Sequence, residues 1–270
     1  MFFKAKFMFY RLGQKQPIFK FIYSFFNAIR KFILKPLDDV NFAKVYYWYQ
    51  TGKILNLNNP STFDEKVWWL KINYRDSLMV KCSDKYLVRD YVRSCGGEEI
   101  LNELYGVYNN PFEIDYDLLP NTFFLKTNNG SGGNILCKNK YTFDALGATK
   151  KLASYLKNNL YFESREWVYK EIEPKIIAEK VLVPHDSVLI DYRFFCTYGV
   201  CKFIFVDIDT CARDGSHNPD AKRNVYDCDF NLIPISVTRD NFSHDLVEKP
   251  SAFIKMKEWA EKLAKPFPFV

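Results

Sequence analysis

Two lysines, a glycine-rich loop and an Asp-x-Arg pair are the residues of this chain whose types and spacing can do chemistry. Lys126 lies in a short apolar run that breaks into Asn128-Asn129-Gly130-Ser131-Gly132-Gly133-Asn134, and a second apolar run, Ile135 to Cys137, follows at once. That order reads as strand, flexible loop, strand. A loop that is almost all backbone can close its N–H groups on an anion, and Lys126 can aim a charge at the same place. An ordinary hairpin turn is the other reading of the stretch. Ser83 or Asp84 can cap a helix over Lys85 to Ser94. The helix dipole disfavours a cation in the first turn, which suits a Lys85 turned toward an anion. Asp191 and Arg193 are two apart in an alternating run, hence on one strand face, where a plain ion pair is the bland alternative. Asp207-Ile208-Asp209 and Asp227-Cys228-Asp229 are both D-x-D, a pattern able to hold a divalent cation on a sugar-nucleotide diphosphate; a solvated strand end is the simpler reading.

The elements that must position these groups follow from pattern. At 270 residues and 48% apolar content the chain is long and hydrophobic enough for one large or two modest folded domains. Helices are expected over 42–57 with a stop at Thr51-Gly52, after the cap Ser61 or Thr62, over 85–94, over 141–159 with Thr142 as cap, and over 249–264. Strands are expected over 101–107, 167–172 and 175–183, with a hairpin of 188–197 and 201–209 turning at Tyr198-Gly199. Residues 225–234 read as an edge segment, and Lys265 to Val270 as the opening of a further strand.

Composition removes several function classes. Seven cysteines are scattered with no C-x-x-C pair and only three histidines accompany them, so zinc spacing is absent and a reducing, cytoplasmic setting is expected. The net charge of +6 is concentrated at the start: residues 1–37 hold eight Lys or Arg, no acid, and eleven Phe or Tyr. The remainder is near neutral, which argues against nucleic acid as a partner. No run in 1–37 is long enough to span a bilayer. From Pro17 its apolar residues fall at helical spacing, which suits either an amphipathic helix on an anionic membrane surface or one packed on its own domain.

The blocks "SDKYLVRDYV", "LPNTFFLKTNNGSGGNILCK", "EWVYKEIEPKIIAEKVL" and "DYRFFCTYGVCKFIFVD", in that order, resemble the ATP-grasp superfamily, and within it the TupA-like family of polysaccharide biosynthesis, over about residues 45–270. The resemblance implies an α+β fold in which two α+β subdomains clamp a nucleotide. The implied organisation is a basic amphipathic segment 1–37, a mainly helical domain 38–120, a small ATP-grasp subdomain 121–174 carrying the glycine loop, and a second subdomain 175–270. It implies ATP and Mg²⁺ as cofactors. Lys85 matches the lysine near the α-phosphate, Lys126 the lysine on the α- and β-phosphates, and Gly130, Ser131, Gly132 and Gly133 the loop over the β- and γ-phosphates. Glu179, Lys180 and Leu182 fall in the hinge that reads adenine through its backbone, Asp191 matches the ribose acid, and Arg193 the catalytic cation at the γ-phosphate or acyl phosphate. The family's Mg²⁺ carboxylates follow the point matched by Val270, so the fold is expected to be C-terminally incomplete and no metal ligand is assigned.

The implied reaction is carboxylate–amine ligation through an acyl phosphate, on a glycan or lipid-linked sugar substrate at the inner membrane face. Two alternatives stand beside it. One is a sugar-nucleotide glycosyltransferase of capsule or exopolysaccharide synthesis using the D-x-D pairs. The other is a truncated, non-catalytic relative that binds a nucleotide or a partner.

Overall fold

The computed structural model describes residues 21, 25, 34–182, 189–212 and 214–270. The helix expected from Pro17 to Lys35 lies almost wholly outside them. The chain divides into two compact units, one of residues 1–80 and 159–171, the other of residues 81–158 and 172–270. Among the described residues no helix is long and apolar enough to cross a membrane.

The first unit is helical. Helix α1 (Asp39–Thr51) begins where the Asp38 side chain accepts from the Asn41 N–H, and ends at Gly52, whose φ of 72° only glycine adopts without strain. Helix α2 (Phe63–Asn73) carries a capping box, with Thr62 accepting from the Glu65 N–H while Glu65 accepts from that of Thr62. The hydrogen bonds it receives hold the Glu65 carboxyl down at about 2. Phe42, Ala43, Tyr47, Leu55 and Trp68 form its core. Arg165, which follows helix α6 (Tyr161–Ser164), is buried here, donating to the carbonyls of Leu34, Lys35 and Leu37.

The segment Trp167 to Ile172, expected as a strand, is instead a 3₁₀ turn over Trp167–Lys170 in this unit. Its aromatic and β-branched composition favours a strand only where a neighbouring strand can pair with it.

The second unit holds two four-stranded antiparallel sheets. The first has the order β1 (Leu104–Tyr108), β4 (Ile176–Glu179), β2 (Phe123–Thr127), β3 (Ile135–Cys137). The central strand β4 is buried at every residue. In β2 burial alternates: Phe123, Leu125 and Thr127 are buried, Phe124 and Lys126 half-buried on the opposite face. The buried face packs with Ala148 and Leu152 of helix α5 (Ala145–Leu156), which is capped by Asp144 and not by Thr142. Before it in the unit, helix α3 (Ser77–Ser83) leads to helix α4 (Val88–Ser94); the Asp84 carboxylate accepts from the N–H groups of Tyr86 and Leu87 at the turn between them.

The second sheet runs in sequence order, β5 (Ile190–Thr197), β6 (Val200–Ile208), β7 (Lys222–Tyr226), β8 (Leu232–Ile233). Its inner face buries Cys196, Ile204, Val206 and Tyr226 against Phe253 and Ala264 of helix α7 (Phe253–Ala264). Its other face carries Asp191, Arg193, Phe205, Asp207 and Arg223, which register places side by side: Asp191 opposite Asp207, Asp207 opposite Arg223, and Arg193 opposite Phe205. Past α7, Val270 exchanges both backbone hydrogen bonds with Cys196, at 2.7 and 3.0 Å, on the free edge of β5, but the strand expected over Lys265 to Val270 is not formed.

Candidate functional site

The second unit encloses a cleft of about 440 Å³, within the range of small-molecule sites. Its walls come from both sheets. Phe124 and Lys126 of β2 and Leu136 of β3 face it from the first; Asp191 and Arg193 of β5 face it from the second; Lys180, Val181 and Leu182 close it where β4 ends. The β2–β3 connection is a hairpin, with Phe123 opposite Cys137 and Leu125 opposite Ile135. Its loop is the Asn-Gly-Ser stretch, with Gly132 at φ 91° and Gly133 at φ 65°. A Cβ on Gly133 would come within 2.6 Å of Thr127 Oγ1. The fold therefore requires glycine there.

Alternation in β2 turns Lys126 toward the cleft, where its Nζ lies 2.7 Å from Glu179 Oε2. Arg89 of α4 approaches the other oxygen, Oε1, at 3.6 Å. Glu179 is buried, so this carboxylate is compensated rather than solvated. Lys85 stands behind the loop. Its Nζ donates to the carbonyls of Thr127, at 2.9 Å, and Gly130. Burial, then the neighbouring Lys126 charge, lower the Lys85 ammonium to about 8 against partial support from Asp84 and Glu179. Fully buried Asn128 ties this corner together, donating to Asp84 Oδ2 at 2.8 Å and to the Glu173 carbonyl and accepting from the Lys175 N–H at 2.6 Å.

On the facing wall Asp191 accepts from Thr210 Oγ1 at 2.7 Å. Arg193 does not pair with Asp191, although both lie on one strand face. Its Nε forms an ion pair with Asp207 Oδ2 at 2.9 Å. Asp207 is fully buried and also receives Arg223, at 2.6 Å from Nε and 2.9 Å from Nη2, with Arg239 at 3.4 Å. A carboxylate so enclosed has no room for a metal ion. Asp227 is equally engaged, accepting from the N–H groups of Asp229 and Asn231 and from the Asn231 side chain. Neither D-x-D pair thus offers a free pair of carboxylates.

Residues 210–212 and 214–218 complete the cleft. The Ala212 N–H donates to the Ser216 carbonyl, Cys211 bridges to His217, and the Asn218 N–H donates to the Thr210 carbonyl. They reach the first sheet: the Leu136 N–H donates to the Asp214 carbonyl at 3.0 Å. Gly215 (φ 89°) passes so close that a Cβ would lie 2.6 Å from Leu136 N. His217 Nε2 then stands 3.2 Å from Ser131 Oγ on the glycine loop. Thr210 and His217 were not singled out by sequence reasoning. No local spacing marks them; only the segment's docking on β3 brings them to the loop.

The donor set fits a nucleoside triphosphate. Apolar Phe124, Leu136, Leu182 and Leu189 can flank a base, Asp191 and Thr210 offer polar atoms for a sugar, and Lys126, His217 and Arg193 offer donors for phosphate. Asn134 Oδ1 is buried without a hydrogen-bond partner on the cleft wall, as expected of a group awaiting a ligand. The Lys180 N–H and carbonyl are already engaged by the Glu103 carbonyl and the Asn102 side chain. Among the described residues no three His, Cys, Asp or Glu side chains converge to hold a metal ion, so no residue is assigned to magnesium.

A family model described as TupA-like ATPgrasp matches residues 65–270. No curated protein and no solved structure matches the chain.

Proposed function

The chain belongs to the TupA-like ATP-grasp family, and from that premise we propose that it is an ATP-dependent carboxylate–amine ligase whose nucleotide site is the cleft between its two sheets. The observation that carries this is the meeting, across one cleft, of Lys126 on one wall with Asp191 and Arg193 on the other. When bound, ATP with Mg²⁺ would supply the phosphoryl group that activates a carboxylate as an acyl phosphate, leaving ADP, and an amine attacking the acyl carbon would displace phosphate to give an amide.

The residues have separable tasks. Val181 and Leu182 meet the base edge with their backbone groups, between Phe124 and Leu136. Asp191 accepts from the ribose hydroxyls while Thr210 fixes its orientation. Lys126 neutralises phosphate oxygens, and Glu179 holds its ammonium in place until they arrive. The glycine loop brings its N–H groups over the phosphate chain, and Lys85 secures the loop's base from behind. Arg193, fixed through its Nε, turns its remaining guanidinium donors to the charge that develops at the transferring group. Such roles are positioning and charge neutralisation, which phosphoryl transfer chiefly needs.

The acceptor belongs, on this reading, to cell-surface polysaccharide synthesis, at the inner face of the membrane. The basic, aromatic segment 1–37 supports attraction to an anionic lipid surface. A glycosyltransferase reading loses its support because Asp207 and Asp227 are committed to structural partners.

Titration calorimetry with ATP, with and without Mg²⁺ and beside a UDP-sugar control, tests the proposal. Saturable ATP binding is expected, weakened in Lys126→Ala by about 1.5–3 kcal/mol as for a lost charged hydrogen bond. Equal ATP affinity in the variant, or binding of the UDP-sugar alone, overturns it.

A further inference from the structure

The tier of the cleft next to the glycine loop holds an acceptor with nothing to accept. In the β2–β3 hairpin Leu125 stands opposite Ile135. A Cβ on Gly133 would meet the Thr127 side chain, so the two strands are still level nearer the loop. Between these two points Lys126 and Asn134 come level, on the face that carries Phe124 opposite Leu136. All four line the cleft. The Lys126 ammonium leans over the Phe124 ring, 5.2 Å from its centroid, so the polar tier borders the apolar one. Asn134 Oδ1 is buried and receives no hydrogen bond, whereas Lys126 is met by Glu179 at 2.7 Å. An amide oxygen in that state is costly until a donor completes it.

A nucleoside triphosphate has few donors. Its phosphates chiefly accept, and its ribose hydroxyls fall to Asp191 on the facing wall, whose carboxylate Thr210 orients. That leaves the exocyclic amino group of the base, which carries two hydrogens. The Lys180 carbonyl accepts from the Asn102 side chain at 2.9 Å and so has a single lone pair to offer. The second hydrogen needs a second acceptor, and Asn134 Oδ1 supplies it from the tier beside Phe124 and Leu136. A 6-oxo base would instead set its own lone pairs against that oxygen. A polar site built for a donor rejects an analogue that lacks one, because its own group is then left unpaired.

We propose that Asn134 determines base specificity in this cleft, accepting from the amino group of a 6-aminopurine and excluding 6-oxopurines. The proposal rests on the nucleotide reading of the cleft and adds a residue to it. The discriminating contact comes from a side chain of the glycine-loop hairpin and not from the hinge backbone alone.

The test is titration calorimetry of the full chain with ADP and with purine riboside 5′-diphosphate, which lacks only the amino group. The unsubstituted chain is expected to bind ADP about tenfold more tightly, the scale of one hydrogen bond to a buried group. In N134L that ratio should fall about fivefold, with affinity for the purine riboside diphosphate changed less than about twofold. If N134L does not fold, N134A should show the same fall. N134D keeps an acceptor and has no N–H to turn toward the ligand, so it should keep the ratio. An unchanged ratio in N134L or N134A overturns the proposal. So does an equal loss of both ligands, which would make Asn134 a phosphate contact or a structural one, and so does a ratio lost in N134D, which would mean that the amide donates. If neither diphosphate binds the unsubstituted chain, the nucleotide reading falls and the proposal with it; a ratio near one in a chain that binds both removes the proposal alone.

Discussion

Each sheet of the second unit buries one carboxylate at the cleft and surrounds it with cations, but the two are built differently. Glu179 on the first sheet meets one lysine and, at longer range, one arginine. Lys126 is 31% exposed, so its bond to Glu179 can be exchanged for a bond to a ligand without stranding the ammonium. Asp207 on the second sheet is 0% exposed and meets three arginines, two of them closely. Lysine is a flexible point charge and arginine a rigid fork. The first arrangement therefore suits a cation that must turn toward its ligand. The second suits cations that must stand still.

The contrast can be broken at its stronger side. Asp207→Asn leaves three guanidinium groups packed with no counter-charge and is expected to cost about 3–5 kcal/mol of folding stability, the scale for a buried ion pair that loses one partner. Urea denaturation measures it; a loss under 1 kcal/mol would mean that the cluster is wet. Glu179→Gln should cost less, about 1.5–3 kcal/mol, because Lys126 can turn to water while Arg89 keeps its bond to the Asn102 carbonyl. Should Glu179→Gln prove the costlier of the two, the comparison is reversed.

A pH-dependent effect sharpens the first sheet. Lys85 has its ammonium lowered to about 8 from 10.5, so between those values the folded chain binds fewer protons than the unfolded one. By linkage, its contribution to stability rises as pH climbs from 8 toward 10.5, and is unfavourable below 8. Subtracting the pH profile of Lys85→Met from that of the unsubstituted chain isolates this rise. A flat difference means that Lys85 is solvated.

What the sequence disclosed depended on range. Lys126, the glycine loop and Leu136 fall within one hairpin, and alternation alone turns Lys126 to one side and Leu125 to the other. The capping box of α2 and the stop at Gly52 are equally local. Asp191 and Arg193 were legible as neighbours on a face, but the partner of Arg193 was not, because Asp207, Arg223 and Arg239 are joined only by sheet register and the path beyond β8. Trp167 to Lys170 misled for the related reason that strand-like composition says nothing of whether a pairing strand is near. The family resemblance reached further than local pattern, since it carried the order of four distant blocks.

The contact of Leu136 with the Asp214 carbonyl bears on how the two sheets breathe. The Leu136 amide is held by a carbonyl that arrives from the second sheet. Its hydrogen can exchange with solvent only when that carbonyl lifts from β3. Its exchange rate is therefore a clock for separation of the cleft walls, read at one residue and without any label. Amides inside the β2–β4 ladder report instead on unfolding of the first sheet itself. A ligand that bridges the walls should slow the first clock and leave the second running as before.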